Sequence, residues 1–425
     1  MIGLKIVIVP NHPYPYDQRM VRGLADGLRE LGNNPFALTK PVSPDELKTI
    51  CEESSANVVI QVNKNRDPNV ALPDSVRHIS WYQDVFLETL DTLESGFRPG
   101  DILYTLGDPG VLGLNFEVPC FCGTLSTGVD ERAIKYLGGN KEKNIDFALC
   151  GYIPPPLDLY STSQVQHGIT LNGFLRRLAS KILSPSIKYL LKEMREKNRL
   201  TRSIIKKANF TMEKIVRDNY RPLCGGLNIH HLKDLILDSD IFESEEKTHD
   251  KALAAELSAS LSFFTNTYPR LLDREKLITT ALECSDSLEL YGPGWDAHKN
   301  FRKYWMGNIS SENELFEVYR KTRINLTNNT HGIGIHSRVL ECMAVGGFIM
   351  SHRSTNDCKE GGILTSFQPG EHFAYYSHNS FEEDTAYWLR ERNLRNLIGA
   401  RAAALVRERH LWRNRAQQII DDLKR

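Results

Sequence analysis

The 425-residue chain contains no apolar run of the roughly 18 residues that a membrane-crossing helix needs. It also has no surplus of charge: 53 Lys and Arg residues balance 53 Asp and Glu residues. The first absence argues against a transmembrane segment and leaves only peripheral membrane contact open. The second removes the electrostatic reason to expect nucleic acid as a partner. Cysteines number 8. Only Cys120 and Cys122 stand close together, a lone C-x-C with no second pair at a zinc spacing. The cysteines read as small buried hydrophobes in a reducing cytosol. No G-x-G-x-x-G follows the first strand, which counts against a dinucleotide cofactor, and neither a P-loop nor a G-x-S-x-G elbow is present. His230 and His231 are adjacent, so on a helix their rings diverge by about 100°, a poor arrangement for one ion; no metal is expected. The opening MIGLKIVIVPNHPYP breaks its apolar run at Pro10, too soon for a secretion signal. A cytoplasmic protein is expected.

What the chain does have is an alternation. LKIVIVP (4–10) is a β-branched run ending at Pro10 and Asn11, the pattern of a buried parallel strand. MVRGLADGLRELG (20–32) then places Met20, Val21, Leu24, Leu28 and Leu31 at helical spacing, with Gly32 as a stop. Strands follow at 57–62, 77–82, 101–107 and 144–156, and a helix capped by Ser43 at 42–54. The rhythm then breaks. Residues 173–220 are basic with a helical period, and 234–264 are acidic, then apolar. Opposed charge blocks suggest pairing within one subdomain. The alternation resumes with helices at 268–285, 312–323 and from His336, and strands at 287–292, 324–329 and 347–354. This predicts an α/β fold of parallel sheets covered by helices: an N-terminal Rossmann-like domain (1–141), a C-terminal one (142–410) with a helical insertion at about 158–262, and a closing C-terminal helix (411–425).

Candidate chemistry falls in loops at the C-terminal ends of these strands, where α/β sheets bind ligands. In THGIGIHSRVLECMAVGGFIMS (330–351), Gly332 and Gly334 let backbone amides approach a ligand. The helix start at His336 and Ser337 favours an anion, phosphate foremost, and Arg338 adds a charge-assisted bond. Glu341 is an acid among Val339, Leu340, Met343, Ala344 and Val345. Two readings of it stay open: a carboxylate that takes both hydroxyls of a ribose, or the partner of Arg338 in a helix-surface salt bridge. LYGPGW (290–295), with Gly292, Gly294 and Trp295, is either a ligand-facing loop or a plain tight turn. VPNHPYPYDQR (9–19) carries His12, Asp17 and Arg19 to the cleft side of the first half, and WYQD (81–84) carries Asp84. His12 can serve as a base or hydrogen-bond donor, or be only structural. GTLSTGVD (123–130) contributes Thr127, Gly128 and Asp130 near the join of the halves.

In order, DFALCGY, LYGPGW, GNISSENELFEVYRKTRINLTNN, HGIGIHSRVLECMAVGGFIMS, FQPGEHFAYYS and RHLWRNRAQQII resemble the GT-B glycosyltransferases, in particular the bacterial "glycosyl transferases group 1" type that includes spore-maturation-type proteins. The resemblance covers about 142–157 and 264–420; the N-terminal half fits only loosely. It implies two Rossmann-like domains facing across a cleft and a sugar transferred from a nucleotide diphosphate sugar to an acceptor hydroxyl, in a cell-surface polysaccharide or other glycan. It implies that Glu341 binds the ribose and that His331 to His336 with Arg338 face the diphosphate and sugar. Arg274 and Lys276 join the leaving-group countercharge, and no cofactor or bound metal is needed. One departure stands out. Many retaining relatives carry a second acid eight residues before this one, where Ile333 stands here. The sugar-facing carboxylate is then either missing or replaced by His331 or His336, and retention or inversion stays open. If the enzyme inverts, His12, Asp17 or Asp84 supplies the general base. The insertion has no place in the family pattern; it shapes an acceptor site, contacts a partner, or merely elaborates the fold. A nucleotide-sugar epimerase on the same fold and a non-catalytic sugar-nucleotide-binding scaffold are the rival functions.

Overall fold

The computed structural model describes residues 3–84, 96–112, 117–136, 143–157, 185–225, 227–239, 251–377 and 379–425, with backbone alone at 112, 185–201 and 251–252. The described strands form two six-stranded sheets, and every pairing in them is parallel. The first contains β1 (Lys5–Val9), β2 (Asn34–Ala37), β3 (Val58–Val62), β4 (Arg77–Tyr82), β5 (Ile102–Thr105) and β6 (Phe121–Thr124), ordered β2-β1-β3-β4-β5-β6. The second contains β7 (Ile145–Cys150), β8 (Leu288–Tyr291), β9 (Trp305–Gly307), β10 (Thr322–Thr327), β11 (Ile349–His352) and β12 (Ala374–Tyr376), ordered β12-β11-β10-β7-β8-β9. Strand order reverses between β1 and β3 in one sheet and between β7 and β10 in the other. Crevices for ligands open beyond the carboxyl ends of strands at such points. Asn11 and Asn63 lie there in the first sheet, Gly151 and Asn328 in the second.

Helices flank both sheets. α1 (Pro15–Glu30) starts five residues before the periodic segment, because Pro15 occupies its first turn with a preset φ. α2 (Pro44–Ser54) opens on a full capping box between Ser43 and Glu46. α3 (Pro185–Asn219), α4 (Ile229–Leu237) and α5 (Lys251–Ser262) belong to the insertion. They do not form a subdomain of their own. Met212 and Val216 of α3 and Leu232 and Ile236 of α4 share one apolar core with Phe147, Leu149 and Leu290 of the second sheet. Burial joins the described parts of these helices; the acidic run at 240–250, on which the expected charge pairing falls, residues 158–184 and the expected boundary at 141–142 lie outside the described residues. A π-helical turn (Phe263–Thr267) leads into α6 (Tyr268–Cys284). α7 (Glu312–Lys321), α8 (Ser337–Ala344), α9 (Phe381–Arg390) and α10 (Arg392–Arg409) complete the second domain.

α11 (Trp412–Asp422) crosses back to the first domain. Ala416 and Ile419 enter its core beside Leu24 and Trp81, and the Tyr104 hydroxyl donates to Asp422 Oδ2 at 2.7 Å. Gly23, Gly27 and Gly128 make room for Trp412: a Cβ at Gly23 would lie 2.2 Å from the indole Nε1. Gly23→Val should therefore lower stability by about 1–3 kcal/mol through overpacking, read as a drop in Tm without loss of the α/β circular-dichroism signature.

Candidate active site

A cleft of about 660 Å³ lies between the domains, lined from the first by Tyr16, Arg19, Gln83, Asp84 and Thr127. The second domain contributes the turns after β7, β8 and β10 and the start of α8. Three guanidiniums converge at its floor. Arg270 and Arg274, one turn apart on α6, lie over the Tyr152 ring at 5.6 and 4.9 Å from its centre, and Arg270 donates to the Tyr152 hydroxyl. Arg338 donates through Nη1 to the Cys150 carbonyl at 2.6 Å. A side chain on Gly151 would strike the Arg338 guanidinium, so the strand-end glycine is what admits that cation.

Among the described residues none of the three pairs with a carboxylate. Arg274 is 3% exposed, and its Nε and Nη1 have no hydrogen-bond partner. Burial, then the charge of Arg338, depresses its pKa well below the ordinary value. Neighbouring Asp273 offsets this only weakly and spends Oδ1 on the Leu223 amide at 2.8 Å. A buried, unpaired guanidinium costs several kcal/mol unless an anion completes it. The floor of the cleft is built for a ligand carrying more than one negative charge.

The histidines beside it are neutral. His331 is buried with both ring nitrogens unpartnered, and burial followed by the charge of Arg270 lowers its pKa to about 3. His336 is the N-cap of α8; its Nδ1 accepts the Arg338 amide at 3.2 Å. His336 lines the cleft as an exposed residue, and desolvation, then the charges of Arg338, Arg274 and Arg270, lower its pKa. Neither can supply positive charge; each can hydrogen-bond to hydroxyls or phosphate oxygens as a neutral ring.

Glu341 resolves against the intrahelical salt bridge. Its Oε1 pairs with Arg19 Nη2 from the opposite domain at 3.2 Å, while Arg338 points to Cys150. Burial raises the Glu341 pKa, and Arg19 counters it. Ser337 and Tyr16 also line the cleft, and desolvation pushes the Tyr16 phenol up to about 12. Asp84 lines the cleft beneath a clamp. Asn63, in left-handed backbone at φ 54, donates Nδ2 to Asp84 Oδ2 at 3.2 Å and accepts the Gln83 amide at 2.7 Å.

Other expected residues sit elsewhere. Trp295 is fully buried and donates Nε1 to the Gly151 carbonyl at 2.7 Å, so it braces the strand end instead of touching a ligand. Of its loop, Gly292 lines the cleft, with φ 113 and the Gly151 carbonyl against its back, whereas Gly294 is packed on Ile153. Gly332 backs onto Ser354 and Asn356, and Gly334 onto Leu106 of the other domain, and neither is among the residues that line the cleft. Lys276 does not line the cleft. His12 lines a separate cavity of about 620 Å³ with Asn11, Asn63 and Lys64, and its amide donates to Asp17 Oδ1 at 3.3 Å. Ile333 lines the cleft, leaving that position apolar. Arg270 lies outside the motifs, and a second Arg one turn before Arg274 is its trace in the sequence; Tyr152 closes DFALCGY, but nothing local marks it as the platform for two guanidiniums.

Residues 274–421 match a protein family described as glycosyl transferase-like. No curated protein matches the chain in sequence. Among solved structures, a glycosyltransferase from Rickettsia africae aligns over 100% of this chain and 98% of its own, with a TM-score of 0.51 at 9% identity. A sucrose-phosphate synthase from Thermosynechococcus elongatus aligns over 98% of each chain, TM-score 0.49, 10% identity. Anabaena HepE in complex with UDP-glucose aligns over 99% of this chain and 100% of its own, TM-score 0.48, 8% identity.

Proposed function

From a chain of GT-B fold whose residues 274–421 form a glycosyl transferase-like domain, we propose a glycosyltransferase that moves a sugar from a nucleoside-diphosphate sugar to an acceptor hydroxyl. The observation that carries the donor is the unpaired cluster of Arg270, Arg274 and Arg338 at the cleft floor. A diphosphate supplies the missing anion, and as the anomeric C–O bond breaks the same groups take up the charge that develops on it. That countercharge makes a metal ion unnecessary, and the reaction needs no cofactor. Glu341 accepts from the ribose hydroxyls. Neutral His331 and His336 hydrogen-bond to the sugar or its bridging phosphate. Asp84, on the opposite wall, takes the proton of the attacking hydroxyl. Asp17 and His12 have less claim to that task, because their mutual contact and the separate cavity at His12 draw them from the cleft. The acceptor is a glycan hydroxyl met in the cytoplasm; no helix among the described residues is long and apolar enough to cross a membrane.

A thermal-shift screen of UDP, GDP, dTDP, CMP and their common sugars, with and without EDTA, tests this. A true donor at about 100 times its Kd should add roughly 2.7 kcal/mol to stability, with EDTA making no difference. No shift with any nucleotide would sink the donor site. Donor interconversion without acceptor would identify an epimerase, and binding without turnover a scaffold.

A further inference from the structure

We infer that Arg19, on the first domain, is a positioning residue for the nucleotide's ribose, acting through Glu341 on the second; this rests on the donor-site reading above. Arg19 spans the cleft between two carboxylates: Nη2 meets Glu341 Oε1 at 3.2 Å and Nε meets Glu312 Oε1 at 3.5 Å. Glu312 is fixed from its other side by Arg132 Nη2 at 3.2 Å, and Arg132 is itself held by Asp130 at 2.7 Å. The fork of Arg19 is thereby aimed at Glu341 by a chain of charges, not left to wander.

Glu341 needs such a partner. To accept from two ribose hydroxyls it must be ionised, and its side chain is only 11% exposed. The groups that face it are Arg19 and Tyr16 from α1, Glu312 from the start of α7 and Arg338 from its own helix. Burial and Glu312 favour the protonated acid, while Arg19 is the stronger of the two cations that oppose them. Arg338 is the weaker because its guanidinium is turned to the Cys150 carbonyl. Unlike the three arginines of the cleft floor, Arg19 is paired with carboxylates; its task is to keep a carboxylate charged and oriented. Since carboxylate and countercharge stand on different domains, donor affinity depends on how closely the two domains approach.

The test is calorimetric titration of the full chain with UDP, GDP, dTDP and, as a probe lacking ribose, inorganic pyrophosphate, from about pH 8 down to about pH 6. For Arg19→Met the Kd of whichever nucleoside diphosphate binds should rise about tenfold at neutral pH, as expected for losing one charge-assisted partner. Pyrophosphate affinity should stay within about twofold. The sign with pH follows from Glu341. Its binding-competent form is the anion, so affinity is lost as pH falls, and removing Arg19 should move that loss to higher pH. Arg19→Lys should restore most of the affinity and the original pH dependence. Unchanged nucleotide affinity in Arg19→Met, or an equal loss for pyrophosphate, would overturn the inference. Glu341→Ala separates the two levels. Its loss of nucleotide affinity beside an intact Arg19→Met rejects the role of Arg19 alone, whereas no loss in Glu341→Ala rejects the ribose reading and this inference with it.

Discussion

Arg274→Met should leave the unliganded protein as stable as before, or more stable, while weakening nucleoside-diphosphate binding about a hundredfold. The two halves of this result have one cause. Arg274 is buried, its Nε and Nη1 have no partner in the protein, and Arg338 and Arg270 add like charge beside it. Replacing a buried, unsatisfied ion by an apolar side chain of similar length is commonly neutral or stabilising by about 1–4 kcal/mol. Methionine also keeps the packing against Tyr152, which Arg274 overlies at 4.9 Å. Binding behaves oppositely. A diphosphate would complete the guanidinium with charge-assisted bonds worth about 1.5–3 kcal/mol each, and these vanish with the group. Melting curves and nucleotide titrations on one preparation check both. A destabilised variant that still binds nucleotide with native affinity would show that Arg274 only braces the fold, and the diphosphate site would have to be sought elsewhere. Such opposition between stability and binding is what a strained functional site predicts and an ordinary core position does not.

How far this site could be read from the chain follows from the range of its contacts. Strands β1, β3 and β5 are near-continuous apolar runs, so both their type and their place in a buried parallel sheet show in the sequence; β4, RHISWY, shows instead through Ile79, Trp81 and Tyr82. β2, β6, β9 and β12 do not: NPFA, FCGT, WMG and AYY are too short for a period, and Pro35 or Gly123 breaks the pattern. They are strands because a neighbour's ladder recruits them. The helix at Ser337 and its acid are legible because capping residue, cation and carboxylate fall within one turn or two. The partner of that acid is not, since Arg19 lies 322 residues away and on another domain. Local spacing offers Arg338 as the partner instead, and only the fold shows that Cys150 has claimed it. Trp295 misleads for a related reason. A tryptophan behind a glycine turn marks either a ligand platform or a brace, and its bond to the Gly151 carbonyl decides for the brace.

Asp84→Asn should lower sugar transfer by about 10²–10⁴-fold, the usual contribution of a general base, with donor affinity unchanged. The isosteric amide keeps the shape of the clamp, so lost turnover would report the lost proton acceptor and not a lost fold. That clamp argues for Asp84 over its rivals. Asn63 sits in left-handed backbone, a conformation costing non-glycine residues about 1–3 kcal/mol and concentrated at functional sites. It uses the carboxamide to grip Asp84 Oδ2 and the Gln83 amide, fixing the carboxylate at the rim of the cleft. Asp17 is bound to the His12 amide, and burial raises its pKa, with the charge of Asp84 adding to the effect; His12 faces the other cavity. His12→Ala should accordingly cost no more than a few-fold. On the sugar's other side, Ile333 offers no carboxylate to form or shield a glycosyl intermediate. A single displacement assisted by Asp84 should therefore invert the anomeric centre, and the product's anomeric configuration read by proton NMR checks the same mechanism from the substrate side. Full transfer by Asp84→Asn together with a retained configuration would remove Asp84 from the chemistry. The cleft would then have to work through its guanidiniums and neutral histidines, with the leaving diphosphate itself as the nearest base.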